Sequence, residues 1–333
     1  MSRIPVLVLV DPDDPVAAIF RDEIERDVQI STRVDLRFAS VDDAFQIISE
    51  IEIVACGVLP AHLITLADHL KWIAYWSAGL DGKITQQIRE RKLLLTNASG
   101  VHGPNIAEHV MAMMLMFTRR MEVHMRSQIN QVWERRMPVE RPPAAELNGQ
   151  TLGIIGLGRI GEALVVRARA FGMNVVAVKR DPTVRYRSEA DAAPDRLSGM
   201  EGLPALLSES DHVCVALPHT PQTHHLIDGN KLALMKPTAY LYNIARGAII
   251  DEGALTAALS EGRIAGAGLD VFEEEPLPQS SPLWNMQNVI ITPHVSGLTP
   301  HYFDRFAKLF AGNLRRYLAC ESLNNLYVSE RGY

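Results

Sequence analysis

Residues 151–164, TLGIIGLGRIGEAL, run from an apolar stretch of strand length through GLGRIG into a helical pattern. No other stretch restricts the fold as much, because the three glycines of GLGRIG answer three separate steric demands of a strand-to-helix turn. Gly156 permits the tight turn, Gly158 lets the backbone approach a pyrophosphate, and Gly161 lets the helix pack closely on the strand. The helix then turns free N–H groups and a partial positive charge toward phosphates, with Arg159 and Ile160 in its first turn as further cofactor contacts. A glycine turn without a ligand is the plainer alternative; the strand before it and the helix after it argue against that.

The surroundings fit such a unit. Apolar runs alternate with helical patterns along the whole chain, which predicts α/β architecture with parallel sheets. The first series of predicted strands is IPVLVLV from Ile4, VDLRF from Val34, IEIVACG from Ile51, WIAYW from Trp72 and LLLTN from Leu93. The second is TLGIIG, NVVAVK, HVCVALP, AYLYNIA, AGAGLDV and NVIITP. Between them lie a long apolar helix, IAEHVMAMMLMF from Ile106, and a proline-rich connection, RMPVERPPAAELNG, from Arg136. With 333 residues, 47% of them hydrophobic, the chain has material for two doubly wound domains. Phe303, Phe306, Phe310, Leu314, Tyr317 and Leu318 recur at helical spacing, so residues 300–320 form an amphipathic helix that needs a surface to cover. Met111, Met113, Met114 and Met116 read first as packing residues, since methionine fills irregular apolar gaps.

Several classes of partner are disfavoured. The net charge is −6 and the cations are dispersed, so the chain lacks the electrostatic footprint of nucleic-acid binding. No segment reads as a membrane span or a secretion signal, and a soluble, cytoplasmic protein is expected. Cys56, Cys214 and Cys320 are odd in number and far apart, which suits reduced thiols better than a disulfide framework or zinc; no metal is expected.

Lys179 and Arg180, at the tip of the strand that follows the glycine turn, lie where an acidic residue commonly holds a ribose 2′-hydroxyl. Two cations there suit a 2′-phosphate, which an arginine can engage bidentately. NADP is therefore preferred over NAD. Asp181 is the rival, since a shifted strand end would present it to the ribose.

Three later strand ends bring different charge types: NIARGAIIDEGAL from Asn243, GLDVFEEEPLP from Gly268 and ITPHVSG from Ile291. Arg246 offers a planar fork for a carboxylate or carbonyl oxygen, Glu275 an acceptor that orients an imidazole, and His294 a proton exchanged near neutral pH. Glu273 and Glu274 read as solvated, and the other histidines, His102, His109, His212 and His225 among them, as structural.

Taken in order, GIIGLGRIG, LPHTPQT, NIARGAIIDEGAL, AGAGLDVFEEEPLP and NVIITPHVSG resemble the signature segments of the D-isomer-specific 2-hydroxyacid dehydrogenases. The resemblance covers nearly the whole chain. It implies Arg246 as the substrate-binding arginine, Glu275 as the histidine partner and His294 as proton donor and acceptor. It implies that Pro218, Thr223, Ile244 and Asp270 line the cofactor and that N–H groups of Ala78 and Gly79 hold the substrate carboxylate. It further implies a flavodoxin-like substrate domain, residues 1–100 plus 298–333, interrupted by a Rossmann cofactor domain, residues 101–297, and a homodimer formed through the latter. The implied reaction is hydride transfer between NADP(H) and a small 2-keto or 2-hydroxy acid, with glyoxylate and hydroxypyruvate as the expected substrates. The alternatives are an NAD-dependent dehydrogenase of another acid, or a dinucleotide-sensing corepressor on the same fold.

Overall fold

A computed structural model describes residues 3–80, 82–133, 144–183 and 193–327. The proline-rich connection predicted from Arg136 lies outside them as far as residue 143.

The chain begins with β1 (Ile4–Val8), α1 (Pro15–Glu25), α2 (Val28–Ser31), β2 (Val34–Phe38), β3 (Ile53–Cys56), α3 (Ala61–Leu66), β4 (Trp72–Tyr75), α4 (Gln86–Glu90) and β5 (Leu94–Thr96). Next come α5 (Gly103–Thr118), α6 (Met121–Ile129), β6 (Thr151–Ile155), α7 (Arg159–Ala170), β7 (Asn174–Val178), β8 (Arg196–Ser198), α8 (Leu203–Glu209) and β9 (His212–Val215). The series closes with α9 (Gly229–Leu232), β10 (Tyr240–Asn243), α10 (Glu252–Ser260), β11 (Gly266–Leu269), β12 (Val289–Ile291) and α11 (Tyr302–Leu318). Contacts divide the chain into two compact units, residues 1–101 with 299–333, and residues 102–298.

In the first unit five parallel strands lie in the order β2-β1-β3-β4-β5. β3 and β4 are buried along their whole length, as strands covered on both faces must be. One face is covered by α1 and α11. Phe306, Phe310 and Leu314 of α11 join Val6, Val8, Phe20, Ile53 and Trp72 in one core. Trp72 is the centre of this packing. Its ring lies 5.4 Å from Phe310 and stacks on Tyr317 at 5.6 Å, while its Nε1–H donates to Thr96 Oγ1 at 2.9 Å. The amphipathic helix read at residues 300–320 thus covers a sheet built from the first hundred residues.

The second unit holds a seven-stranded parallel sheet, β12-β11-β10-β9-β6-β7-β8. Strand order reverses between β6 and β9, and the carboxyl ends of those strands open the crevice where such sheets place ligands. β8 was not predicted; its three residues, RLS, carry no apolar run, and it sits on an edge where one neighbour suffices. Met111, Met113 and Met114 of α5 are buried with Phe117 and Tyr242, as packing residues should be. Among the described residues no helix is long and apolar enough to cross a membrane, and no cluster of three or more His, Cys, Asp or Glu is placed to hold a metal. Cys56 and Cys214 are buried free thiols and Cys320 is an exposed one.

Candidate active site

The glycine turn lies at the reversal point. Gly156 has φ +101°, and a Cβ on it would stand 2.7 Å from the backbone nitrogen of Leu217, just past β9. On Gly161 a Cβ would meet the Gly156 carbonyl oxygen at 2.9 Å, so helix and turn touch only because both residues lack side chains. Gly158 differs: nothing stands within 4 Å of the position its Cβ would take. Two glycines serve packing and the third leaves open space before α7, whose first residues are Arg159 and Ile160. That space and the helix N–H groups around it fit a dinucleotide pyrophosphate.

At the tip of β7 the two cations separate. Lys179 is buried, with 9% exposure, whereas Arg180 is exposed. Consecutive residues of an extended chain point to opposite sides, so the pair read from sequence is not one exposed patch. Burial pulls the Lys179 ammonium below its ordinary pKa, opposed by the charges of Glu162 and Asp181. Glu162, in the first turn of α7, is pushed up by burial and pulled back by Arg159 and Lys179. Asp181 folds onto its own chain: its Oδ1 accepts the Thr183 N–H at 3.0 Å and the Thr183 hydroxyl at 2.5 Å. Beyond β9, Pro218 and Thr223 share a tight loop. Thr223 Oγ1 donates to the Pro218 carbonyl at 2.8 Å and accepts the Thr220 N–H at 2.7 Å.

After β10 the buried amide of Asn243 builds the turn that carries Ile244 and Arg246. Its Oδ1 accepts from Ala245 N and its Nδ2 donates to the Arg246 carbonyl, at 3.1 and 3.0 Å. Ile244 is buried, and the half-buried Arg246 guanidinium donates to the Ala245 carbonyl at 2.7 Å. The next residue must be glycine: a Cβ on Gly247 would fall 1.9 Å from the Phe272 carbonyl carbon. This close approach sets the Arg246 turn against the segment that leads to Glu275.

Glu275 and His294 are in direct contact. His294 Nδ1–H donates to Glu275 Oε2 at 2.7 Å, and Glu275 Oε1 accepts the Phe272 N–H at 3.0 Å. With both carboxylate oxygens engaged, the imidazole is held by Nδ1; among the described residues Nε2 has no hydrogen-bond partner. His294 has φ +54°, a left-handed conformation that costs a non-glycine residue about 1 kcal/mol or more. Asp270, fully buried at the end of β11, holds it there. Its carbonyl accepts the His294 N–H at 2.8 Å; its Oδ1 accepts Thr292 Oγ1–H at 2.6 Å and Val295 N–H at 2.9 Å, and its Oδ2 accepts Ser296 N–H at 3.0 Å. The sequence marked Asp270 only as a cofactor neighbour. Its visible work is to shape the loop that carries the histidine.

Sequence reasoning missed the supports behind that loop. His102 Nδ1 contacts the Gly297 carbonyl at 3.0 Å, Asn105 donates to the Ser296 carbonyl at 2.9 Å, and His109 Nε2 contacts Thr292 Oγ1 at 3.0 Å. The signal was legible in HGPNIAEH: polar residues at i, i+3 and i+7 make a stripe on an otherwise apolar helix. Glu273 is also not simply solvated. It accepts from His225 Nε2 at 2.7 Å and from the Glu252 N–H at 3.2 Å, tying down the segment before Glu275. Ala78 and Gly79 lie in the first unit, half-exposed in the turn after β4.

A glycine cradle at the reversal of a parallel sheet, with a carboxylate-held imidazole at a later strand end of the same sheet, defines an oxidoreductase that uses a nicotinamide dinucleotide. Residues 111–296 match the family described as D-isomer specific 2-hydroxyacid dehydrogenase, NAD binding domain. The glyoxylate reductase of Pyrococcus furiosus is 37% identical over 251 residues, 74% of this chain and 73% of that protein. A D-isomer specific 2-hydroxyacid dehydrogenase family protein from Aeromonas salmonicida has a similar structure, with TM-score 0.81, 31% identity and coverage of 98% of this chain and 99% of that one. The D-isomer specific 2-hydroxyacid dehydrogenase from Xanthobacter autotrophicus Py2, solved in complex with NADPH and MES, matches with TM-score 0.78 and 27% identity over the whole of both chains. The chain belongs to the D-isomer specific 2-hydroxyacid dehydrogenase family.

Proposed function

We propose that this enzyme reduces a short 2-keto acid, glyoxylate or hydroxypyruvate, with NADPH. The contact between His294 and Glu275 carries the reading, because it fixes a proton donor by one nitrogen and leaves the other for substrate. Bound NADPH would supply the hydride to the carbonyl carbon. His294 Nε2–H then delivers the proton to the carbonyl oxygen as general acid, and Glu275 orients the ring and balances its charge. Arg246 stabilises the oxygen as negative charge develops on it, the point at which preorganised donors act most strongly. Ala78 and Gly79 hold the carboxylate through their N–H groups, so the first unit binds substrate and the second binds cofactor.

The cofactor preference rests on the tip of β7. Arg180 is exposed for a 2′-phosphate, and Lys179 adds positive potential from beneath. The turn that Asp181 makes with Thr183 supports this choice over a carboxylate aimed at a bare ribose. The NADPH in the Xanthobacter structure points the same way. A panel of 2-keto acids assayed by kcat/KM with NADPH and with NADH tests the reading. A preference for NADH, or for a bulky acid over glyoxylate and hydroxypyruvate, would overturn it.

A homodimer is part of the same reading. α6 exposes Met121, Met125 and Ile129 at i, i+4 and i+8, and Trp133 beyond it is 93% exposed. A second copy covering this stripe accounts for so much apolar surface. Sedimentation at micromolar concentration decides the point, a monomer counting against it.

A further inference from the structure

Ser77 opens the turn that follows β4 and is held from two sides. Its carbonyl accepts the Ala98 N–H at 3.0 Å, and its hydroxyl meets the Lys83 ammonium at 2.7 Å. The same ammonium donates to the carbonyl of Gly57 at 2.8 Å. Gly57 follows β3 and Ser77 follows β4, so one half-buried cation ties together the carboxyl ends of two adjacent strands. The tie is tight. A Cβ on Gly57 would stand 2.7 Å from the indole nitrogen of Trp76, the residue before Ser77. Just past the clamp come Ala78 and Gly79, and among the described residues neither N–H donates a hydrogen bond. Half-exposed donors without acceptors, on a turn fixed at its root, suit an anion, and prior fixing of the turn lowers the ordering penalty on binding.

We propose that Lys83 is the positioning residue of the substrate-carboxylate site: by bridging Gly57 and Ser77 it keeps the Ala78 and Gly79 N–H groups aligned for an anion. The inference rests on the 2-keto acid reading above and deepens it. A lysine that merely tied two strands would affect stability and leave carboxylate affinity unchanged.

The test compares Lys83→Met, which keeps the aliphatic stem without the donor, with Lys83→Arg, which restores charge and donors. Full-length protein saturated with NADPH is titrated with oxalate, an unreactive carboxylate, and KM and kcat are measured for glyoxylate. Lys83→Met should raise the oxalate Kd and the glyoxylate KM by about tenfold, the scale of one charge-assisted hydrogen bond. kcat should stay within about twofold and NADPH affinity should not change, while Lys83→Arg recovers most of the loss. An unchanged oxalate Kd in Lys83→Met, or a loss shared by NADPH affinity, overturns the proposal. Oxalate binding tests Lys83 by itself; failure of the wild-type enzyme to turn over glyoxylate while oxalate still binds would instead refute the reaction assigned above.

Discussion

Replacing Asp270 by asparagine tests whether the buried carboxylate sets the geometry of the proton donor. The substitution is nearly isosteric, so packing around the end of β11 should persist. The carboxylate gathers three donors, two on Oδ1 and one on Oδ2. An amide can keep its carbonyl oxygen toward Thr292 and Val295, but its NH2 then faces the Ser296 N–H, donor against donor. One buried N–H left unsatisfied costs about 1–3 kcal/mol, and the two remaining bonds lose their charge assistance, for about 2–4 kcal/mol in all. This loss falls on a loop already carrying His294 at φ +54°. The loop should relax toward ordinary backbone, and the imidazole should leave Glu275. We expect kcat to fall by about thirty- to seven-hundredfold, at about 1.4 kcal/mol per decade. The assay is steady-state turnover of the best 2-keto acid, with NADPH affinity and melting temperature measured on the same preparation. A kcat within about threefold of wild type at an unchanged melting temperature would show that Asp270 does not hold the histidine in place.

Further predictions bear on neighbouring parts of the enzyme. His294→Asn should lower kcat by about a hundredfold or more with cofactor binding retained, because asparagine tolerates the left-handed conformation and the loop survives; near-normal turnover would remove His294 from the reaction. Glu275→Gln must turn an amide NH2 toward either His294 Nδ1 or the Phe272 N–H, so turnover should drop while the melting temperature moves little, and equal kcat for the two proteins would show that the carboxylate is dispensable. The double change Lys179→Ala, Arg180→Ala should weaken NADPH by about tenfold or more and leave NADH nearly unaffected; equal losses in cofactor titrations would refute the 2′-phosphate role. His212 is buried between Tyr242 Oη and Gln150 Oε1, and burial lowers its pKa from 6.5 to about 4. It is neutral in the folded protein and gains a proton on unfolding below pH 6.5, so its contribution is intact above that pH and lost as pH falls toward 4, on the order of 3 kcal/mol. His212→Gln should flatten this part of the stability profile in chemical denaturation, whereas parallel acid limbs for the two proteins would contradict the assignment.

The parts of this molecule most legible in its sequence are those with one steric solution. GLGRIG at the end of an apolar run leaves few other structures open, and the long buried strands announce themselves by composition. The three-residue β8 does not, because an edge strand paired on one side needs no apolar run. KR at the strand tip was legible as two cations but not as one inside and one outside; that distinction depends on where β7 stops and its alternation continues. Asp270 was marked only as a neighbour of the cofactor, through family resemblance. Its three acceptor bonds come from residues more than twenty positions later, which spacing does not reveal. The pairing of Glu275 with His294 was anticipated both from the charge types at the late strand ends and from family resemblance; EEEP offers three neighbouring acids, and the contact itself distinguishes the last.

The core around Trp72 also bears on how the chain is made. Phe306, Phe310 and Leu314 close the sheet built from the first hundred residues. During translation that sheet emerges early and waits for α11, whereas residues 102–298 form an unbroken stretch and are available together sooner. At about 5–20 residues per second the wait lasts roughly ten seconds or more. Over that interval the face of β1, β3 and β4 destined for α11 is exposed on the ribosome. The unit begun first is therefore the unit finished last, and it is the natural target for chaperones that bind nascent apolar surface.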